Sequence, residues 1–473
     1  MNPAGSSFGV KVFDWLEGRL KVSRAAEFAS HKEVPVGSHS MLWYYFGGTT
    51  LFFFTVQIVS GILLLMYYQP GEATSYESIR FITTKVPFGW LIRSCHCWSA
   101  HLMIVSVVIH MFSTMMLKAY RKPRELTWLT GFGLSGLALA FGFSGYLLPW
   151  NELAFFATAV GTDSVKGVPV VGQWLLEVMR GGPDVTIHTL YRFFALHIVI
   201  LPLVALGLMG VHLALIQVQG MAAEVPHEHD GAHGGARPPA KPGIKFFPDF
   251  VMRDLLAWSM CLILLATLVY LLPYGPGVPG IEWELGKKAN PLTPAYPGIK
   301  PEWYFLWIYQ LLKEFPAHLF GIEGTQAALL MVNVLMGVWA LVPFLDRRSS
   351  RELPSPVYTD LAVAALIFLS YLTLKAWDIG GLKPGATGLP DPKATAWACS
   401  LIVLCVGAIV VVLRTLAYKQ RWFILSGSAL VQVLLNGILK VDYLLAGLIA
   451  FVLAATGVYL TRRGQKVSGG GAS

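Results

Sequence analysis

GWLIRSCHCWSAHLMIVSVVIHMFSTMML (Gly89–Leu117) is apolar over more than the roughly 20 residues a helix needs to cross a hydrocarbon core of about 30 Å. It nevertheless carries His96 and His110, 14 residues apart. A second stretch, LYRFFALHIVILPLVALGLMGVHLALIQ (Leu190–Gln217), repeats the arrangement with His197 and His212, 15 apart. At 3.6 residues per turn both gaps are close to four turns, so each pair shares one helix face, and the rise between its members is roughly 21 Å. These two stretches define an all-α, polytopic transmembrane helix bundle of about ten spans, whose first four enclose a cofactor site.

A single histidine inside a membrane is usually a hydrogen-bonded or pathway residue. Four of them, in two helices of the same direction at matched spacing, put two facing imidazoles at each of two depths. That is the axial set of two six-coordinate haems, with His96 level with His197 and His110 level with His212. Gly47 and Gly61 in the first span, and Gly131 and Gly145 in the third, repeat the 14-residue spacing. Glycine weakens a helix relative to alanine by about 1 kcal/mol and is useful where a backbone must approach something bulky. Porphyrin edges at the same two depths would use these glycines, and so would close helix–helix packing through small residues.

The composition agrees. Of 473 residues, 55% are hydrophobic and 13% charged, against about a quarter charged in soluble domains; the mean hydropathy is +0.57. The net charge of +9 points to basic residues collected in cytoplasmic loops and not to nucleic acid. The first forty residues lack the apolar core of a cleavable signal and read as a cytoplasmic arm with an amphipathic surface helix around Val12–Leu20. Cys95, Cys97, Cys261, Cys399 and Cys405 lie in apolar segments with no CxxC or CxxCH spacing, as buried inert thiols do.

The expected spans are Met41–Tyr68, Gly89–Leu117, Leu126–Leu148, Leu190–Gln217, Phe250–Leu272, Gln326–Leu345, Val357–Lys375, Thr395–Leu416, Trp422–Leu439 and Val441–Thr461. A His/Gly/Pro-rich linker (221–248) separates the four-span domain (41–220) from a three-span domain (249–377), and an additional membrane tail follows (378–473). With the N-terminus on the cytoplasmic (n) side, Lys118, Arg121, Lys122, Arg124, Arg347, Arg348, Arg351, Arg414, Arg421, Arg462 and Arg463 all fall on that side, as the positive-inside rule prefers. Trp422–Leu439 is short and contains Gln432 and Asn436, which also suits an interfacial segment. The charge pattern favours a hairpin of the last two spans with Lys440 and Asp442 at its p-side tip. Long loops on the p side, Pro149–Thr189 and Pro273–Thr325, contain apolar helix-like stretches of their own. His227, His229 and His233 in the linker suit either a metal or a solvated segment, and the latter is the simpler account.

GWLIRSCHCWSAH (Gly89–His101), KPRELTWLTG (Lys122–Gly131), SGYLLPWN (Ser144–Asn151) and YRFFALH (Tyr191–His197) resemble the cytochrome b of bc-type complexes, and most of all its plastid-type bf branch. PEWYF (Pro301–Phe305) and VPFLD (Val342–Asp346) resemble that branch's separate small partner subunit, here fused into one chain. The resemblance spans about Val34 to Trp377. It implies two haem b groups with His96/His197 on the p-side haem and His110/His212 on the n-side one. It also implies Glu302 as acceptor of the quinol proton, Tyr304 and Tyr146 as pocket walls, and Arg93 as a partner for a haem propionate. FFPDFVMRD (Phe246–Asp254) resembles the start of the fifth span in bc complexes, which points to Asp254 for protonation of quinone on the n side, with Arg253 beside it; a basic flank with its counter-ion explains the same residues. Further implications are quinol/quinone as substrate, bifurcated electron transfer that feeds a proton gradient, a Rieske iron–sulfur protein and a c-type cytochrome as partners, a homodimeric complex, and residence in a prokaryotic cytoplasmic membrane. The branch attaches a third haem to a first-span cysteine; Tyr45 stands there, which puts that group in doubt. The tail has no counterpart in the family. Two other readings share the histidines: a haem-b membrane anchor of a dehydrogenase, which has no need of PEWYF, and a proton-relaying transporter, which shows no paired b-type absorption.

Overall fold

The computed structural model describes residues 8–20, 23, 33–34, 41–168, 171–222, 243–272, 285–294, 299–315, 318–319, 322–346 and 356–377. The linker histidines, the last three spans and their hairpin lie outside the described residues. The helices, in chain order, are α1 (Phe8–Leu20), α2 (Phe46–Leu65, entered through a 3-10 turn Met41–Tyr45), α3 (Ser75–Thr84), α4 (Gly89–Met116), α5 (Glu125–Leu147), α6 (Glu152–Val165) and α7 (Gly172–Arg180). They continue with α8 (Ile187–Gln219), α9 (Phe246–Leu271), α10 (Leu306–Glu314), α11 (Gly324–Ala340), α12 (Val342–Leu345) and α13 (Pro356–Trp377). Two short antiparallel ladders join β1 (Glu33–Val34) to β2 (Ile244–Lys245) and β3 (His318–Leu319) to β4 (Ile322–Glu323).

Among the described residues, five helices are long and apolar enough to cross a membrane: Trp43–Leu65, α4, α5, α8 and α9. They coincide with the first five expected spans. The fifth is entered from β2 through Phe247, whose backbone is extended (φ −120°, ψ 131°), and is regular α-helix from Val251 to Leu271. The sixth expected span is interrupted: α11 ends at Ala340, and Pro343 sits in the first turn of α12, where its missing N–H costs nothing.

The residues divide into two compact units. The first comprises Met1–Lys166, Gln173–Ile299 and Leu335–Ala362; the described part of the second lies in Gly167–Gly172, Lys300–Val334 and 363–377. In the first unit α2 lies along α4, α8 along α5, and α5 against α4, while α9 packs on α4 and α2. Lipid tails are as apolar as leucine, so small and hydroxyl side chains hold such helices together. Thr49 and Thr50 on α2 meet the Ser106 hydroxyl on α4 at 2.7 and 3.0 Å. Further along the same pair of helices, Gln57 donates to Ser99 Oγ and to the His96 carbonyl. Phe53, Phe54, Trp98, Met103 and Val107 fill the space between, and Ile62, Leu203, Met252 and Ile263 are exposed toward the surrounding phase.

α8 contains the least regular feature of the bundle. Residues Leu196–Ile200 form a π-helical turn, with His197 inside it and Pro202 just beyond. Proline lacks an N–H and its ring crowds the carbonyl four residues back, so the backbone there opens to a wider turn. A π turn takes up one extra residue without rotating the remainder of the helix. The 15-residue gap in α8 is thereby brought into register with the 14-residue gap in α4.

The loop between α5 and α8 is built on polar contacts. Asn151 caps α6 by accepting from Ala154 N at 2.8 Å. Thr186 and Thr189 form a capping box at the start of α8. Arg180, at the end of α7, donates to Thr162 Oγ1 at 2.7 Å and to the carbonyls of Ala159 and Pro183, both at 2.6 Å, tying α7 to α6.

At the other end of the bundle, Asp346 is buried to 2% exposure. It accepts from Tyr120 OH at 2.9 Å and pairs with Arg121 at 3.5 Å, while Trp128 Nε1 donates to the Ala340 carbonyl at 3.1 Å. Burial, and then the carboxylate beside it, hold the Tyr120 phenol well above the ordinary tyrosine range, so it remains a donor. Asp346→Ala takes the carboxylate from a buried ion pair and should destabilise the protein by about 3 kcal/mol. Asp346→Asn, which keeps an acceptor for Tyr120, should lose less. Denaturant unfolding of the purified protein in detergent measures both, and equal stability of wild type and Asp346→Ala would refute the clasp.

Candidate functional site

α4 and α8 each place two histidines toward the bundle interior. His96 and His197 face one another with ring centroids 6.5 Å apart and planes at 74°. Imidazole–metal bonds run to about 2.0–2.1 Å, so two ring nitrogens on one ion put the ring centres on the order of 6 Å apart. The observed gap fits one metal between two imidazoles. At the second level, His212 lies near enough to His110 for charge on one to act on the other. No cluster of three or more His, Cys, Asp or Glu suited to a metal exists among the described residues, and the donors the structure brings together at the first level are the two imidazoles of His96 and His197. That donor set fits a metal whose remaining ligands come with it, as a porphyrin's do. Cys95, Cys97 and Cys261 are not paired in disulfides among the described residues.

Each ring is seated on a glycine of another helix. A Cβ built on Gly61 would stand 3.3 Å from His96 Cε1, and one on Gly47 would stand 3.1 Å from His110 Cε1. On α5, the corresponding distances are 3.1 Å from Gly131 to His212 and 2.7 Å from Gly145 to His197. The spacing of the glycines suggested porphyrin edges; what the structure sets against them is the imidazole rings themselves. Beside the helix packing and cofactor contact that the sequence left open, the glycines also admit the histidine side chains.

The approach lets each of three rings reach a hydroxyl on the glycine's helix. His96 Nδ1 lies 2.9 Å from Ser60 Oγ, His212 Nδ1 2.9 Å from Thr130 Oγ1, and His197 Nδ1 3.0 Å from Ser144 Oγ. The same rings bond to the backbone of Gln57, Thr127 and Phe141, each four residues before the glycine concerned. Ser60, Thr130 and Ser144 were not singled out by sequence reasoning. The signal was available, since each immediately precedes its glycine.

Arg93 is buried on α4, one turn before His96. Asp254, inside the fifth span, lies so close to Gly48 that a Cβ there would overlap its carboxylate, and its Oδ1 has no hydrogen-bond partner. Tyr45 stacks on Phe250 at 5.1 Å and 15°. Tyr146, next to Gly145, packs against the cluster of Leu147, Trp150, Phe155 and Phe193 in the first unit. In the second unit Glu302 opens the 3-10 turn Trp303–Phe305, its carbonyl accepting from Phe305 N at 2.9 Å. Tyr304 is buried there between the rings of Trp303 and Phe305, at 5.5 and 4.8 Å. Burial, and then the charge of Glu302, push its phenol far up, so it stays protonated. Glu302 and Tyr304 thus share one turn.

The family profile described as cytochrome b/b6/petB matches residues 31–220, and that of cytochrome b(C-terminal)/b6/petD matches 288–384. The cytochrome b subunit of a cytochrome bc complex from Chlorobaculum thiosulfatiphilum is 46% identical over 378 residues, covering 80% of this chain and 83% of that protein. Cytochrome b6 of Gracilaria tenuistipitata var. liui is 40% identical over 212 residues, covering 45% of this chain and 98% of that protein. Among solved structures, a chain of a hyperthermophilic respiratory Complex III matches with a TM-score of 0.64 and 27% identity, covering 84% of this chain and 96% of that one.

The glycine contacts make a paired prediction. Gly136, also on α5, has nothing within 4 Å of a built Cβ, so Gly136→Ala should stabilise the helix by up to about 1 kcal/mol. Gly145→Ala places a methyl within 2.7 Å of His197 and should displace the ring and lower haem content per chain. Pyridine-haemochrome spectra of the two variants compare them directly; equal haem in both would refute the seating of His197.

Proposed function

The chain belongs to the cytochrome b/b6 family and is the cytochrome b subunit of a bc/b6f-type quinol-oxidising complex, and from that premise we propose that it holds two haem b groups, His96/His197 binding the p-side one and His110/His212 the n-side one. The observation that carries this is the gap of 6.5 Å between the His96 and His197 rings, with Nδ1 of each engaged by a serine hydroxyl, which leaves Nε2 as the nitrogen for a metal. Haem bound at two depths supplies reversible one-electron chemistry, which the two-electron oxidation of quinol requires.

The remaining roles fall to the chain's own side chains. Glu302 accepts a proton from quinol, and Pro301 stiffens the loop that presents it. Tyr304, held protonated in its apolar turn, donates a hydrogen bond beside Glu302; Tyr146, in the first unit, is a further quinol-lining residue. Arg93, buried one turn from His96, pairs with a propionate. Asp254 serves the n-side quinone: its carboxyl group, inside a membrane span and with Oδ1 free of a hydrogen-bond partner, takes up a proton and passes it to the quinone oxygen as the quinone is reduced. Of the two electrons from quinol, one leaves to a Rieske protein and a c-type cytochrome and the other crosses to quinone on the n side, so protons are released on one face and taken up on the other. The complex is a homodimer in a prokaryotic cytoplasmic membrane, with the N-terminus in the cytoplasm. A covalently held third haem is left out, because the phenol of Tyr45 forms no thioether.

Two measurements test this reading. His110→Ala should remove one of two b-type absorption bands and leave the other; loss of both from folded protein, or of neither, would break the pairing. Glu302→Gln should slow quinol oxidation by tenfold or more with haem content normal, in the range that removing a positioned proton acceptor produces, about 10²-fold at full effect. Wild-type turnover across pH 6–8 would remove Glu302 from the mechanism.

A further inference from the structure

Three of the four histidines share a device that the fourth lacks. The hydroxyl that meets each Nδ1 has already committed its hydrogen to its own helix. Ser60 donates to the Val56 carbonyl at 2.6 Å, Thr130 to Leu126 at 3.0 Å and Ser144 to Phe141 at 3.3 Å. A hydroxyl has one hydrogen, so toward the ring its oxygen can only accept. Nδ1 of His96, His212 and His197 therefore carries the proton, and Nε2 is left with its lone pair.

His110 is seated on Gly47, and the residue before Gly47 is Phe46. Among the described residues, the buried Nδ1 of His110 has no hydrogen-bond partner. The backbone contact found four residues before the other glycines is absent as well, because α2 starts at Phe46 and the chain before it follows a 3-10 turn, Met41–Tyr45.

An imidazole that donates from Nδ1 is a more basic ligand and favours the more positive metal state. We infer that Ser60, Thr130 and Ser144 are positioning residues that fix the tautomer and strengthen the donation of three axial ligands, and that Phe46 leaves His110 the weakest donor of the four. This rests on the haem ligation proposed above. The two iron sites are then unequal: His96 and His197 both have hydroxyl acceptors, whereas the His110/His212 site has one. The difference favours reduction at the His110/His212 level, and it lies in the side chain before the glycine, one atom shell away from the ligands.

The test uses the intact complex in detergent, with each haem's absorption titrated against ambient potential and total haem measured independently. Thr130→Val keeps the shape and removes the hydroxyl. It should raise the ratio of reduced to oxidised His110/His212 haem at a fixed potential by about threefold, within what one hydrogen bond contributes, and Thr130→Ser should restore it. Phe46→Ser supplies the missing acceptor and should shift the same haem in the opposite direction by a similar factor. The His96/His197 haem should stay unchanged in both and serve as the internal reference, and Ser144→Ala should move that haem alone. Should Thr130→Val fail to assemble, Phe46→Ser and Ser144→Ala carry the same comparison. Two haems present with unshifted potentials, or equal shifts at both haems, would overturn the inference. Retention of both haems in His110→Ala would instead overturn the ligation on which it rests.

Discussion

An imidazole ring pressed on the bare backbone of a neighbouring helix sets the distance, rotation and axial offset of that helix, and it does so four times here. α2 meets α4 through Gly61 with His96 and Gly47 with His110; α5 meets α8 through Gly145 with His197 and Gly131 with His212. Two such contacts per pair, about four turns apart, leave neither helix free to slide or rotate. The hydroxyl bonds from Thr49 and Thr50 to Ser106 fall between them. They cost little in a bundle already at the right separation, and they would be strained at any other. Even the π turn at His197 follows from this constraint, because α8 spends 15 residues on a distance for which its glycine partners allow 14.

Around that core the chain uses polar groups as fasteners. Asp346 draws in Tyr120 and Arg121 at one end. Arg180 draws two loop helices together at the other. Such groups tolerate an apolar environment because they are paired. Asp254 Oδ1 and His110 Nδ1 stand in contrast, buried and unpartnered, and both lie beside the glycine pair Gly47–Gly48 at the start of α2. These two atoms lie where a ligand or an electron is expected to arrive.

The family matches fall in two parts of the chain, residues 31–220 and 288–384. A nearly complete cytochrome b6 corresponds to 45% of this protein, and a separate family profile takes over at residue 288. In the first unit the contact of Trp128 with Ala340 and of Tyr120 with Asp346 joins residues from both sides of that division. A peptide link between the two parts therefore adds proximity to partners that already have a built interface.

The sequence by itself determined the class of the protein, its first five spans, the four candidate ligands and the four glycines that seat them, because helical periodicity makes depth in the membrane a matter of counting residues. It also pointed to Glu302 and Tyr304 through the PEWYF motif. It did not determine that the glycines face imidazoles, that three hydroxyls fix the ring tautomers, that α8 widens at His197, or that the sixth span breaks at Leu341. Those depend on the rotation of one helix against another and on which backbone carbonyls are left open. Periodicity along a single helix carries no information about either, and only the packed bundle decides them.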